Sequence, residues 1–146
     1  MSNRYRLRIP RHLHAAMLEQ ARAELPNECC GLLAGRMVAG IGVVTHRLPL
    51  VNAADSPREF ESEPRSMLTA DKAMRAAGID MLAIYHSHPT SEAVPSRTDL
   101  ARSYYGDTVM NLIISLRENP PVVQAWWLTE TGFQAGEWEF AEDSES

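Results

Sequence analysis

The densest chemistry in this chain runs from Tyr85-His86-Ser87-His88-Pro89 to Asp99. Two of the five histidines lie here, separated by a single serine. Alternate residues of extended chain project to the same side, so both imidazoles can meet at one point, which adjacent histidines could not. Pro89 breaks the strand behind them. Zinc takes imidazole nitrogen and carboxylate oxygen at about 2.0 Å, and a catalytic zinc keeps one position for water. Asp99, eleven residues after His88 and expected on the first turn of a helix, supplies the third ligand once the loop folds back. Two neutral histidines and one carboxylate leave such a site net positive, which lowers the pKa of water in the open position toward about 7. The chemistry this suits is hydrolysis at a carbonyl.

Such a water still needs a base outside the metal shell, one that takes its proton and hands it to the leaving amine. Local pattern alone does not select that carboxylate. Ser96, three residues before Asp99, can cap the helix that begins there, donate to a developing oxyanion, or do both. A histidine pair at a strand end is by itself as often a satisfied polar pair as a metal site; Pro89, Ser96 and Asp99 in register favour the metal. Cys29 and Cys30 raise a thiol-nucleophile reading. Burial of free cysteine is the commoner outcome, and one of the two is expected to pack inward. His12, His14 and His46 have no acid at ligand spacing and read as structural.

These residues need a scaffold. Arg4, Arg6 and Arg8 alternate with Tyr5, Leu7 and Ile9, the period of a strand with one solvated basic face. Pro10 opens a helix with the stripe Leu13, Ala16, Met17 and Ala21, ending near Pro26. Residues 30–36 and 41–48 read as strands joined by a Gly-containing turn, and residues 52–62 as a loop leading into extended chain. A second helix from Pro64 uses Met67, Ala70, Met74 and Ala77 and stops at Gly78. Residues 81–85 form a short strand that delivers His86. A helix over 96–105 and strands at 109–116, 122–128 and 133–140 complete an α/β chain. Of the adjacent Trp126 and Trp127, one is expected in the core and the other exposed or against a partner, a hint of an interface.

With 146 residues and 45% apolar content, one domain with a real core is expected, since a chain of this size buries roughly two-thirds of its unfolded surface. The domain is assigned to residues 1–140, and the acidic, Ser-rich residues 141–146 to a disordered tail. The net charge of -5 gives no basic footprint for nucleic acid. No apolar run approaches the about 18 residues of a membrane span, and the arginine-rich start lacks the apolar stretch of a signal peptide. Disulfide-linked Cα atoms usually sit about 5.5 Å apart, awkward for neighbours in sequence, so Cys29 and Cys30 read as free thiols. A reducing, cytoplasmic setting follows.

Residues 86–99 resemble the zinc motif of the JAMM or MPN+ metallopeptidases: His-x-His-Pro, six residues, then Ser-x-x-Asp, matched without a gap. Upstream, Pro26-Asn27-Glu28-Cys29-Cys30-Gly31-Leu32-Leu33-Ala34-Gly35 is similar to the segment that carries the catalytic Glu in bacterial and archaeal members. The resemblance implies one zinc per chain held by His86, His88 and Asp99, acid–base work by Glu28 and oxyanion stabilisation by Ser96. It also implies a mixed sheet sandwiched by helices, the three-layer arrangement of the MPN/JAMM fold, which is like that of cytidine deaminases. Compact members are similar to hydrolases that cleave the amide or isopeptide bond after the C-terminal Gly-Gly of ubiquitin-like or sulfur-carrier proteins. A Gly-Gly tail can lie in a narrow groove as an added strand. The extended chain between Asn52 and Glu61 is the expected edge, and a homodimer is among the expected assemblies. Two rivals are a non-catalytic MPN-like interaction module and a zinc amidohydrolase acting on small amides.

Overall fold

The computed structural model describes residues 4–57, 59, 61–101 and 108–142. Its strands are β1 (Arg6–Ile9), β2 (Cys30–Val38), β3 (Ile41–Leu50), β4 (Asp80–His88), β5 (Met110–Ser115), β6 (Val122–Thr129), β7 (Gly132–Ala135) and β8 (Trp138–Phe140). Three helices intervene: α1 (Arg11–Ala23), α2 (Pro64–Ala77) and α3 (Arg97–Ala101). All eight strands form one mixed sheet in the order β7-β6-β5-β4-β2-β3-β1-β8. The central β4 runs antiparallel to β2 and parallel to β5.

Each face of the sheet carries its own apolar cluster, as period-two strands require. Leu33 and Tyr85 belong to the cluster that receives Met17 and Ala21 of α1. Cys30, Leu32 and Ala34 belong to the one that receives Ala70 and Met74 of α2, with Ile84 packed against it. The expected sandwich of sheet and helices is therefore the observed one. The local signals are legible in it. Pro10 precedes α1, Glu63 accepts the Arg65 amide at 2.6 Å beside Pro64 at the start of α2, and Gly78 ends α2 in the left-handed region at φ 66°. Ala39 and Gly40, both at positive φ, make the two-residue turn between β2 and β3.

Two expectations need correction. The stretch 133–140 is not one strand: β7 pairs with β6 at one end of the sheet, whereas β8 pairs in parallel with β1 at the other. Gly136 makes the crossing, donating its amide to the Ala125 carbonyl at 2.8 Å, where a Cβ would press to 3.1 Å from the Trp127 indole nitrogen. The sheet curls so far that Tyr5 of one end packs edge-on against Trp127 of the other, 5.0 Å between centroids. The strand expected at 81–85 is longer, spanning Asp80–His88, because β2 pairs with it as far as His86 and β5 as far as His88. Of the helix expected over 96–105, Arg97–Ala101 is observed; residues 102–105 lie outside the described set, as do 143–146 of the expected tail.

The arginine face of β1 is an ion-pair ladder with β8. Arg6 meets Glu137 at 3.0 Å and Arg8 meets Glu139 at 3.0 Å. Exposed pairs of this kind contribute about 0–1 kcal/mol each. Among the described residues no helix is long and apolar enough to cross a membrane.

Gly31 marks the tightest approach near the site, because a Cβ there would overlap the ring of Tyr85, the residue before His86. Tyr85 is fully buried, with its hydroxyl held by Gln20 of α1 and by Arg47 at 3.3 Å. Gly31→Ala is expected to lower unfolding free energy by about 1–3 kcal/mol through overpacking, read by urea titration. An unchanged midpoint would contradict that account.

Candidate metal centre and its general base

Alternation along β4 puts His86 and His88 on the Ile84 face, opposite to Tyr85 and Ser87. Both are buried at the strand end. The chain then returns through residues 89–96, which are pinned at three points. His88 Nδ1 faces the Glu92 carbonyl at 2.7 Å, the Ser115 hydroxyl donates to the Ser91 carbonyl at 2.6 Å, and the Trp126 indole donates to the Ala93 carbonyl at 2.8 Å. This pinned loop launches α3 and brings Asp99 to the histidines. Trp127 is the core member of the tryptophan pair, and Trp126 spends its polar edge on this loop with Phe133 edge-on at 5.1 Å.

Ser96 and Asp99 form a reciprocal cap: the Ser96 hydroxyl accepts the Asp99 amide at 3.0 Å, and the Asp99 carboxylate accepts the Ser96 amide at 2.8 Å. The capping reading of Ser96 is thus realised, and its hydroxyl hydrogen is not used in that bond. The cap also fixes the carboxylate's orientation.

The three ligand atoms converge. His86 Nε2 lies 3.2 Å from His88 Nε2 and 3.2 Å from Asp99 Oδ1, and His88 Nε2 lies 3.1 Å from Asp99 Oδ2. Separations of this size suit donors sharing one ion at about 2.0 Å. The Glu92 carbonyl can only accept, so it fixes a proton on His88 Nδ1 and leaves Nε2 as a lone pair facing inward. Two imidazoles with one carboxylate suit zinc and its neighbours in the transition series rather than magnesium or calcium. The residues fit the ion, and His86, His88 and Asp99 are the group among the described residues that could hold one.

Charge distribution agrees. Burial depresses the pKa of His86. Burial also opposes charge on His88, but Asp99 and the Glu92 carbonyl outweigh it and raise the pKa. For Asp99 burial works upward, and the two histidines with the Ser96 amide overcome it, holding the carboxyl well below its usual range.

Glu28 reaches this centre through strand register. Cys30 pairs with His86 across β2 and β4. Two further bonds extend the ladder: Ser87 donates its amide to the Cys29 carbonyl at 3.1 Å, and the Ser87 hydroxyl accepts the Cys29 amide at 2.8 Å. Continued by one step, that register carries Glu28 to the level of His88. The Glu28 side chain is 2% exposed, and its Oε1 has no hydrogen-bond partner among the described residues. Burial pushes its carboxyl up to about 8, with His88 pulling down and Asp99 and Glu59 pushing further up. A buried carboxyl beside three converging side chains is thus placed where it could exchange a proton at the centre.

A stability prediction follows for the metal-free chain. The folded pKa of Glu28 lies above its ordinary 4.5, so its stabilising contribution is complete below about pH 4.5 and is lost as pH rises to about 8. With chelator present, Glu28→Gln should therefore gain on wild type by a few kcal/mol between those limits, measured by urea unfolding across pH. A difference that stays flat with pH would contradict the buried, unpaired state.

The remaining candidates are not part of the converging ligand group. Cys29 and Cys30 are buried free thiols whose pKa values burial pushes up to about 11 and about 12, which leaves no thiolate at neutral pH. They belong to the clusters on opposite faces of the sheet. His14 stacks on Trp138 at 5.4 Å, His46 meets Thr45 at 2.7 Å on the surface, and His12 is exposed. The parts that sequence reasoning missed are Ser87, Trp126 and Asn52. Only Asn52 carried a local signal, an asparagine opening a turn-rich loop.

The family model described as prokaryotic homologs of the JAB domain matches residues 10–129. A desampylase of Haloferax volcanii is 40% identical over 86 residues, covering 58% of this chain and 60% of that protein. A CysO-cysteine peptidase of Mycobacterium bovis is 38% identical over 96 residues, 66% of this chain and 64% of its own length. The chain thus spans less than two-thirds of either curated relative. A solution structure from Desulfitobacterium hafniense superimposes with a TM-score of 0.86 at 37% identity over 93% of both chains. A JAB1/MPN domain protein of Archaeoglobus fulgidus, at 20% identity and a TM-score of 0.59 over 93% of this chain and 98% of its own, shares the fold. With the family model spanning β1's exit to the end of β6 and the ligand cluster inside that span, this chain belongs to the prokaryotic JAB-domain family.

Proposed function

We propose that this chain is a zinc metallopeptidase that hydrolyses the amide or isopeptide bond after the C-terminal Gly-Gly of a ubiquitin-like or sulfur-carrier protein. The observation that carries the reading is the buried Glu28, close enough to His88 for their charges to interact, with an Oε1 that has no hydrogen-bond partner among the described residues. An interaction module has no use for such a group, whose burial costs free energy unless a function retains it.

When bound by His86, His88 and Asp99, one zinc supplies a Lewis acid for the scissile carbonyl and an acidified water. Glu28 takes the proton of the attacking water and carries it to the amine as the C–N bond breaks. The Ser96 hydroxyl, half-buried at the head of α3, donates its free hydrogen to the oxyanion that develops on the substrate carbonyl. The pinned loop 89–96 keeps Asp99 and Ser96 from drifting during the cycle.

The tail of the carrier is assigned to the chain between Asn52 and Glu61, which leads directly from Glu28 through the Ser56 and Asn52 contacts. Gly-Gly is favoured because bulkier residues would collide where the backbone must pass close to the metal. The names of the relatives, a desampylase and a CysO-cysteine peptidase, support a carrier-protein substrate. Two buried reduced thiols support a cytoplasmic setting.

The test is intact-mass analysis of a Gly-Gly-terminated carrier conjugate incubated with zinc-loaded protein, with and without chelator. Release of a carrier ending in free Gly-Gly, abolished by chelator, is expected. Cleavage of small amides with the conjugate left intact would move the assignment to a small-molecule amidohydrolase.

A further inference from the structure

The backbone around Glu28 is suspended from two side chains that belong to neither the ligand set nor the acid–base pair. On one side stands Ser87, fully buried between the two histidines of β4 but pointing to the opposite face. It holds both backbone polar groups of Cys29, accepting the Cys29 amide on its hydroxyl at 2.8 Å and giving its own amide to the Cys29 carbonyl at 3.1 Å. On the other side stands Asn52. Its amide nitrogen donates to the Glu28 carbonyl at 3.0 Å and to the Glu59 carbonyl at 3.1 Å. Its oxygen accepts the Ala54 amide at 3.0 Å and the Glu61 amide at 2.9 Å. Four bonds use the full capacity of a primary amide carrying two donor hydrogens and two acceptor lone pairs. The Glu28 amide completes the suspension by donating to the Ser56 carbonyl at 2.8 Å.

We infer that Ser87 and Asn52 are the positioning residues of Glu28: Ser87 locks the base to the metal-ligand strand, and Asn52 locks it to the segment assigned to the substrate tail. Glu28 Oε1 has no hydrogen-bond partner among the described residues, so among them it is the backbone bonds of this segment that fix its place. Backbone bonds to Ser87 and Asn52 therefore do the work that a side-chain partner does for the histidines and Asp99. The arrangement leaves the carboxyl free to exchange a proton with water and amine while its distance from the ligands stays fixed. This inference rests on the proposed peptidase reading.

Three variants test it in zinc-loaded full-length protein. Ser87→Ala removes the acceptor for the Cys29 amide, Ser87→Thr restores an oxygen there, and Asn52→Asp keeps both acceptor bonds while removing the donor to Glu28. Zinc affinity, kcat, KM and amide hydrogen exchange at Glu28 and Cys29 are measured for each. Ser87→Ala and Asn52→Asp are expected to lower kcat about 100-fold, as a displacement near 1 Å does. Zinc affinity should hold within about twofold of wild type, exchange at Cys29 should quicken in Ser87→Ala, and Ser87→Thr should recover most of kcat. Unchanged kcat in both variants, or loss of zinc in step with kcat, would overturn the positioning role. A wild type that binds zinc but cleaves no conjugate sinks the proposed function, and the exchange data then decide the inference separately: unaltered Cys29 exchange in Ser87→Ala overturns it, and faster exchange with zinc retained upholds it.

Discussion

Glu28→Gln is expected to bind one zinc per chain with wild-type affinity and to lose turnover by about 100- to 10,000-fold, the range for removing a general acid–base group. Glutamine keeps the shape of the side chain and removes its ability to take a proton. The metal ligands are untouched, because His88 is oriented by the Glu92 carbonyl and Asp99 by the Ser96 amide, neither of which involves Glu28. Metal content by elemental analysis and kcat on a carrier conjugate separate the two effects. A variant that turns over at the wild-type rate would remove Glu28 from the mechanism, and one that fails to load zinc would move it into the ligand set.

The second large effect is expected from Asp99→Ala. This change removes one of three converging ligand atoms and the acceptor of the Ser96 amide together. Zinc binding and turnover should both be lost. Because ligand binding stabilises the folded state by mass action, wild type should gain about 4 kcal/mol at a zinc concentration a thousand times its dissociation constant. Asp99→Ala should show no such gain in a thermal scan with and without zinc. Asp99→Asn, which keeps an acceptor for the Ser96 amide but drops the charge, separates cap from ligand: its metal-free stability should stay near wild type while its zinc response is lost. A zinc-dependent rise of wild-type size in Asp99→Ala would place the metal elsewhere.

The grouping of His86, His88 and Asp99 was legible because strand periodicity is local. Two histidines separated by one residue, closed by proline, share a face in any strand, and Ser-x-x-Asp caps a helix wherever one starts. Both helices with proline at the start, the Gly78 stop and the hairpin at Ala39-Gly40 were readable for the same reason. Glu28 was different. Nothing in its neighbourhood in sequence distinguishes it, because its role is created by the β2–β4 register, a contact between segments 58 residues apart at Cys29 and Ser87. Only the resemblance to a known family brought it forward.

The same limit explains the errors. The alternating residues of 133–140 satisfy a strand pattern throughout, and local pattern does not register that Gly136 must pass Trp127 and carry the chain to the far edge of a curled sheet. Which tryptophan of the pair lies in the core was not readable either, because the partner of Trp126, the Ala93 carbonyl, lies in a loop 33 residues away. Ser87 and Asn52 escaped notice on similar grounds, since a serine inside a strand and an asparagine in a loop are ordinary until their long-range partners are known. What propensity and spacing encode is the chemistry of each segment, and what the sheet adds is which segments face one another.

The most direct test of the central claim is intact-mass analysis of a Gly-Gly-terminated carrier conjugate treated with zinc-loaded wild type and zinc-loaded Glu28→Gln side by side, with zinc content measured on the same samples. Equal zinc in both, carrier with a free Gly-Gly terminus from wild type, and intact conjugate from Glu28→Gln are expected. Equal cleavage by the two proteins at equal zinc would contradict that claim.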